Sequence, residues 1–174
     1  MNRLGKSFGL AALPIAFTLA GQGHLAQAQS TRAGSDLRGT WQLVLVDNVY
    51  PDGRRVQLYG PDPQGLLMFD EDGRYSLQIL RAQRPRFASN DKAQGTAEEY
   101  HAAVQGSNAH FGRYVVDPNG RTITFRIEHA SFPNWEGTEQ KRAFVLSGDE
   151  LKYTVPVPTS GANALGEVVW KRVR

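Results

Sequence analysis

The sequence predicts an all-β domain, an antiparallel closed barrel or a sandwich, with one short helix. Three observations carry this reading. Eight to nine segments alternate apolar and polar residues at the period of a strand. Short turn signals such as Pro118-Asn119-Gly120 join most of them. No stretch has the strand–helix–strand spacing of a parallel sheet. Barrel and sandwich both protect sheet edges, which a strand-rich protein needs.

The chain opens with a segment that reads as a secretory signal. Arg3 and Lys6 give a short positive region, Phe8 to Ala20 is mostly apolar, and Ala26-Gln27-Ala28 supplies the small-x-small pattern of a cleavage site. The apolar run of 13 residues is shorter than the roughly 20 of a membrane-spanning helix. The expected domains are therefore a signal peptide at 1–28, a flexible polar leader at 29–37 and a folded unit at 38–174. The expected destination is the periplasm or the exterior.

Cleavage would leave 146 residues, enough for one domain with a core. It would also remove two of the 20 basic residues, leaving 18 against 17 acidic ones and a charge near +1. The remaining charges are interspersed, which argues against nucleic acid as a partner. The chain has no cysteine. That excludes disulfides, thiolate metal sites, thiol nucleophiles and a lipoprotein anchor.

Thr40 to Tyr50 opens the domain with Trp41, Leu43 and Leu45 on one face, and Pro51-Asp52-Gly53 turns the chain. Arg55 to Tyr59 is a short polar strand, and Gly60 to Gly65 a rigid bend. Leu66 to Phe69 and Arg74 to Leu80 form a hairpin about Asp70-Glu71-Asp72-Gly73, with Tyr75, Leu77 and Ile79 on one face. The stretch from Arg81 to Gly95 breaks the pattern. Thr96 and Glu99 then spell a capping box for a short helix over Ala97 to Val104, whose thin apolar face suits a lid or plug.

Strands resume at His110 to Asp117 and Thr122 to His129. Alternation places Ile123, Phe125, Ile127 and His129 together on one face of the second strand. Ser131 to Gly137 is a connection holding an unusual Trp135. Thr138 to Leu146, Leu151 to Val155 and Glu167 to Val173 are the remaining strands, the last two separated by a Pro/Gly/Ser loop.

Five stretches resemble the lipocalin-like family of the calycin barrels. They are Leu37-Arg38-Gly39-Thr40-Trp41, Gly60 to Gly65, Arg84-Pro85-Arg86-Phe87, Ala109 to Tyr114, and Phe132 to Thr138 around Trp135. The resemblance covers nearly all of residues 37 to 172. It implies a closed antiparallel barrel of about eight to ten strands; true lipocalins bind small apolar or amphipathic molecules inside such a barrel, whereas for this lipocalin-like group the resemblance gives a fold more than a function. It also implies a structural set in which Gly39 allows close packing and a basic residue of the last strand stacks on Trp41. Arg172 matches that position, with Arg174 as second choice. Classical lipocalins usually carry disulfides and a C-terminal helix, and this chain has neither, so their pocket geometry does not transfer.

Four clusters are candidates to face a cavity. Arg81, Arg84, Arg86 and Phe87 form a basic rim, or a solvated loop paired with Glu98 and Glu99. In the second cluster His110, Gly112 and Tyr114 share one strand face while Phe111 and Arg113 share the other, and alternation does not say which points inward. His129 follows the apolar face of its strand, while Arg126 and Glu128 form a surface pair. Asn134 and Trp135 cap or stack at a barrel mouth, and Arg142, in phase with Phe144 and Leu146, points inward. A buried arginine needs a carboxylate, a carbonyl or an anionic ligand. Tyr75 joins these as a cavity residue.

Catalytic signatures are lacking: no G-x-S-x-G elbow, no paired carboxylates on strands, and histidines too scattered for a metal site. No catalytic residue, metal or cofactor is assigned. The expected function is an exported binder of a small apolar or amphipathic molecule. An isomerase or cyclase using Tyr75, Tyr114, His129 and an arginine is the alternative, as is a structural protein with a filled barrel. Monomer and dimer are both compatible with the sequence.

Overall fold

A computed structural model describes residues 36–174. The signal segment 1–28 and most of the leader lie outside the described residues. Leu37, at the end of the leader, is fully buried, and its carbonyl accepts the Trp41 indole N–H at 2.8 Å. The packed domain therefore begins at least one residue before the expected boundary.

The strands are β1 (Gly39–Val49), β2 (Arg55–Gln57), β3 (Gln64–Phe69), β4 (Arg74–Leu80), β5 (Ser107–Val116), β6 (Thr122–Ala130), β7 (Glu139–Ser147), β8 (Glu150–Val155) and β9 (Leu165–Arg172). Helix α1 (Ala97–Gln105) precedes β5, and a 3₁₀ turn spans Pro133–Trp135. Every pairing is antiparallel, and β1 pairs with β9 to close an eight-stranded barrel from β1 and β3–β9. The short β2 pairs with the far half of β1, beyond the stretch that β3 occupies. Closure leaves no long unpaired edge.

The period-two pattern is the cause of the interior. On β4, Tyr75, Leu77 and Ile79 are buried; on β6, Ile123, Phe125 and Ile127; on β8, Leu151 and Tyr153. One end is packed solid by Trp41, Leu67, Phe69, Tyr114, Ile123 and Trp170. There the Arg172 guanidinium lies 4.1 Å from the centroid of the Trp41 ring. The same guanidinium donates to the Arg38 and Asp36 carbonyls at 2.6 Å each and lies 3.7 Å from Asp149. Arg174 takes the outer side of Asp149 instead. Gly39 has φ +114°, and a Cβ there would approach Arg172 at 3.4 Å, so glycine suits both the backbone and the stack.

A β-bulge changes the phase of β6. Phe111 pairs with His129, but Gly112 pairs with Ile127, so Glu128 is the extra residue. Glu128 and His129 consequently both face outward. A Cβ on Gly112 would stand 2.1 Å from the Arg126 carbonyl oxygen and 2.8 Å from the Glu128 nitrogen. The missing side chain thus makes room for the β6 backbone, not for a ligand or a neighbouring large side chain.

Candidate functional site

The barrel's two ends differ because its strands change character along their length. On β7 the inward positions run from Gln140 and Arg142 at one end to Phe144 and Leu146 at the other. Phe125 sits between the two regions, with its ring centroid 6.1 Å from Phe69 on the packed side and 6.0 Å from His110 on the other. Beyond it opens a cavity of about 330 Å³. Its apolar wall comes from Val46, Leu77, Ile79, Phe125, Val155 and Val168, and its polar groups are Tyr59, Asn108, His110, Arg142 and Tyr153. Trp135 and the segment Pro156 to Ser160 line the mouth. An adjoining recess of about 250 Å³ shares Tyr59, Asn108 and Trp135 and reaches Val104 of α1.

The mouth segment is anchored, not loose. The buried Asn48 side chain donates from Nδ2 to the Ser160 carbonyl at 2.8 Å. Next to it, the buried Asp47 accepts from Arg55 at 2.9 Å, and Glu167 pairs with Arg55 and Lys152.

His110 is the polar centre of the wall. The Tyr75 hydroxyl lies 2.8 Å from its Nδ1. Burial, and then the positive charge of Arg142, push the imidazole down to a pKa of about 4, so it is neutral at physiological pH. Burial raises the Tyr75 phenol well above its ordinary range. A protonated phenol that donates to Nδ1 leaves the imidazole proton on Nε2. Trp135 meets His110 edge-on at 5.8 Å and Phe132 at 5.4 Å. Burial also lifts Tyr153, to about 12, and raises Tyr59, which Asn108 partly offsets through a hydrogen bond. The phenols are therefore neutral donors.

The structure brings together His110, Trp135 and Arg142 at the cavity, with Tyr75 directly behind His110. It settles the inward face of β5 as His110, Gly112 and Tyr114. The other expected site residues lie elsewhere. Tyr114 points inward at the packed end, 4.6 Å from the Phe69 ring, with its hydroxyl donating to the Asp70 carbonyl at 3.2 Å. His129 is outside the barrel because of the bulge, 68% exposed, against Phe111 and 3.4 Å from Glu136. Asn134 is exposed in the 3₁₀ turn.

Arg86 is exposed, and Phe87 packs on Tyr100 of α1 at 5.4 Å, forming a satellite cluster over Gly95 rather than a cavity rim. That loop is tied to the helix through Glu99, which accepts from the Ala88 and Thr96 amides at 2.8 Å each. Arg126 and Glu128 do not pair with each other: Arg126 takes Glu139 at 2.8 Å, and Glu128 takes Arg74 at 3.0 Å. Sequence reading missed Tyr59, Asn108 and Tyr153. Tyr153 was legible as the inward residue two beyond Leu151. Tyr59 and Asn108 flank irregular connections, where period two carries no signal.

No cluster of three potential metal ligands occurs among the described residues, and no described helix is long and apolar enough to cross a membrane. The closed antiparallel barrel, packed at one end and with a cavity of mixed apolar and polar wall at the other, is of the lipocalin type. Residues 38–173 match the family described as the lipocalin-like domain, and the chain belongs to that family. It is similar to a 4'-hydroxy-3'-methoxypropiophenone carrier protein of Aspergillus oryzae, 29% identical over 106 residues that cover 56% of this chain and 96% of the relative. Among solved structures it is similar to a lipocalin-like protein of Bacteroides uniformis, with 18% identity and a TM-score of 0.43 over 79% of this chain and 99% of that one.

Proposed function

We propose that this protein binds a small amphipathic molecule with an aromatic or apolar body in the mouth cavity, and does so outside the cytoplasm. The cavity carries the reading. A concave volume of about 330 Å³, with an aliphatic and aromatic wall and a few convergent polar groups, is the form that small-molecule sites take. The similarity to a protein named as a carrier of a small methoxyphenol ketone supports an aromatic body. The extracytoplasmic destination rests on the signal-like residues 1–28.

Native mass spectrometry of protein purified from its own compartment tests binding. A co-purifying small molecule is the expected result. An empty barrel, together with no thermal shift against a panel of lipids and aromatic metabolites, would remove the proposal. Edman sequencing of the same sample tests the destination, with a mature start at Gln29 expected.

The His110–Tyr75 pair favours a second reading, an isomerase on the same barrel. A perturbed histidine beside a phenol in a cavity is the arrangement that proton transfer uses. Its weakness is basicity, since an imidazole with a pKa of about 4 is a poor base at neutral pH. Deuterium incorporation into bound ligand in D₂O, lost in His110→Gln, would establish it.

A further inference from the structure

We infer that the ligand carries an oxyanion, such as a carboxylate, a sulfonate or an acidic phenol, which seats on the Arg142 guanidinium inside the barrel mouth. This rests on the reading that the cavity is the ligand site, and it specifies the chemistry of the occupant.

The argument is one of charge pairing. Arg55, Arg74, Arg113, Arg126, Arg172 and Arg174 all have a carboxylate within ion-pair distance. Arg142 is half-buried on the inner face of β7, and among the described residues it has no carboxylate partner. Its hydrogen bonds go to the Lys141 carbonyl at 3.0 Å and to the Gln140 side-chain oxygen, both neutral. The nearest acid on the same strand, Glu139, lines the mouth but is already paired with Arg126. Burial lowers the Arg142 pKa, and the two groups that oppose this are the phenols Tyr153 and Tyr75, both held neutral by burial. A desolvated guanidinium without a counter-charge is costly, and an anionic ligand is the group that removes the cost.

The rest of the wall has the same polarity. With Tyr75 donating to His110 Nδ1, the imidazole offers Nε2–H as a donor. Among the described residues Asn108 Oδ1 is a buried acceptor without a hydrogen-bond partner, although the Asn108 amide lies beside the Tyr59 hydroxyl. It sits where the cavity meets the adjoining recess. A ligand with an oxyanion at Arg142 and a hydroxyl or N–H towards Asn108 would satisfy both.

The test compares two fluorescent molecules that differ by one charged group, 1-anilinonaphthalene-8-sulfonate and neutral N-phenyl-1-naphthylamine. The sulfonate should bind wild-type protein more tightly. Arg142→Gln should weaken the sulfonate by roughly ten-fold or more and the neutral compound by much less, and Arg142→Lys should recover part of the loss. The ligand-free melting temperature of Arg142→Gln should be equal to or above wild type, because an unpaired buried charge has gone.

A second measurement needs no variant: 4-phenylbutyrate should displace the neutral compound from wild-type protein better than 4-phenylbutanamide does. Equal displacement by acid and amide, or unchanged sulfonate binding in Arg142→Gln, would overturn the oxyanion while leaving the cavity as a neutral-ligand site. Failure of both fluorescent compounds to bind wild-type protein would overturn the oxyanion and count against the cavity as a site.

Discussion

The Tyr75 hydroxyl and His110 Nδ1 stand 2.8 Å apart between the packed core and the cavity. Neither partner ionises readily. Burial raises the phenol and lowers the imidazole, so the pair is a neutral hydrogen bond that also fixes which ring nitrogen is left for the cavity.

This makes stability depend on pH in a defined direction. The folded pKa of His110, about 4, lies below the ordinary 6.5, so between these values the unfolded chain holds the extra proton. Stability is complete above pH 6.5 and falls as pH drops towards 4. At roughly 1.4 kcal/mol per pH unit the full loss is about 3 kcal/mol, of which about 2 is gone by pH 5. Urea unfolding at pH 7.5 and 5.0 should show this, and His110→Gln should flatten it. An NMR titration of the His110 ring with a midpoint near 6.5 would refute it.

The Trp41–Arg172 stack closes the packed end. Trp41→Ala should destabilise by about 3–5 kcal/mol, through the cavity it leaves and the loss of stacking. Arg172→Ala should cost less, about 1–3 kcal/mol, because the guanidinium also ties down the Arg38 and Asp36 carbonyls. Chemical denaturation of the two variants measures both. A change below about 1 kcal/mol for Trp41→Ala would exclude it from the core.

Gly112→Ala should disturb the bulge. Its methyl group would collide with the Arg126 carbonyl and the Glu128 amide, and backbone cannot step aside as a side chain can. A loss of roughly 2–4 kcal/mol is expected, with amide chemical-shift changes centred on residues 126–129. Retention of wild-type stability would mean that β6 pairs in register there.

Trp135→Ala should weaken ligand binding by up to roughly ten-fold, the loss of one aromatic contact, with little effect on folding. The ring is half-buried and rests on His110 and Phe132 rather than in the core. Calorimetric titration beside a melting curve separates the two effects. A large fall in melting temperature with unchanged affinity would make Trp135 a structural residue.

Asn48→Ala should release the mouth segment. Removing the bond to the Ser160 carbonyl should cost about 1–2 kcal/mol and speed amide exchange across residues 156–163. Unchanged exchange there would show that the segment is held by other contacts.

Much of the architecture was legible in advance because strands advertise themselves at a period of two. The inward face of β4, the capping box of Thr96 and Glu99, the hairpin at Asn119 and the inward phase of Arg142 all follow from local pattern. The site was less legible. Period two assumes unbroken register, and the bulge opposite Gly112 turned His129 from an expected cavity residue into a surface one, while a second irregularity between Leu43 and Leu45 put Val46 in the core in place of the expected Leu45. Phe87 was ambiguous because an aromatic in a loop can cover a cavity or another aromatic. Here it found Tyr100.

By itself the sequence determined that the chain forms an antiparallel β domain without disulfides, which residues share a face on several strands, and that Arg142 is in phase with apolar residues of its strand. Local alternation and turn chemistry are properties of neighbouring residues, so they need no knowledge of the fold. Which end of the barrel is open was decided by the tertiary structure alone. So were the pairing of Tyr75 with His110 across 35 positions, the lack of an ion-pair partner for Arg142 among the described residues, and the bond from Asn48 to a loop 112 positions away. These depend on the closure of β1 against β9 and on the register across every intervening pair. No local pattern encodes which distant side chains that closure brings into one cavity.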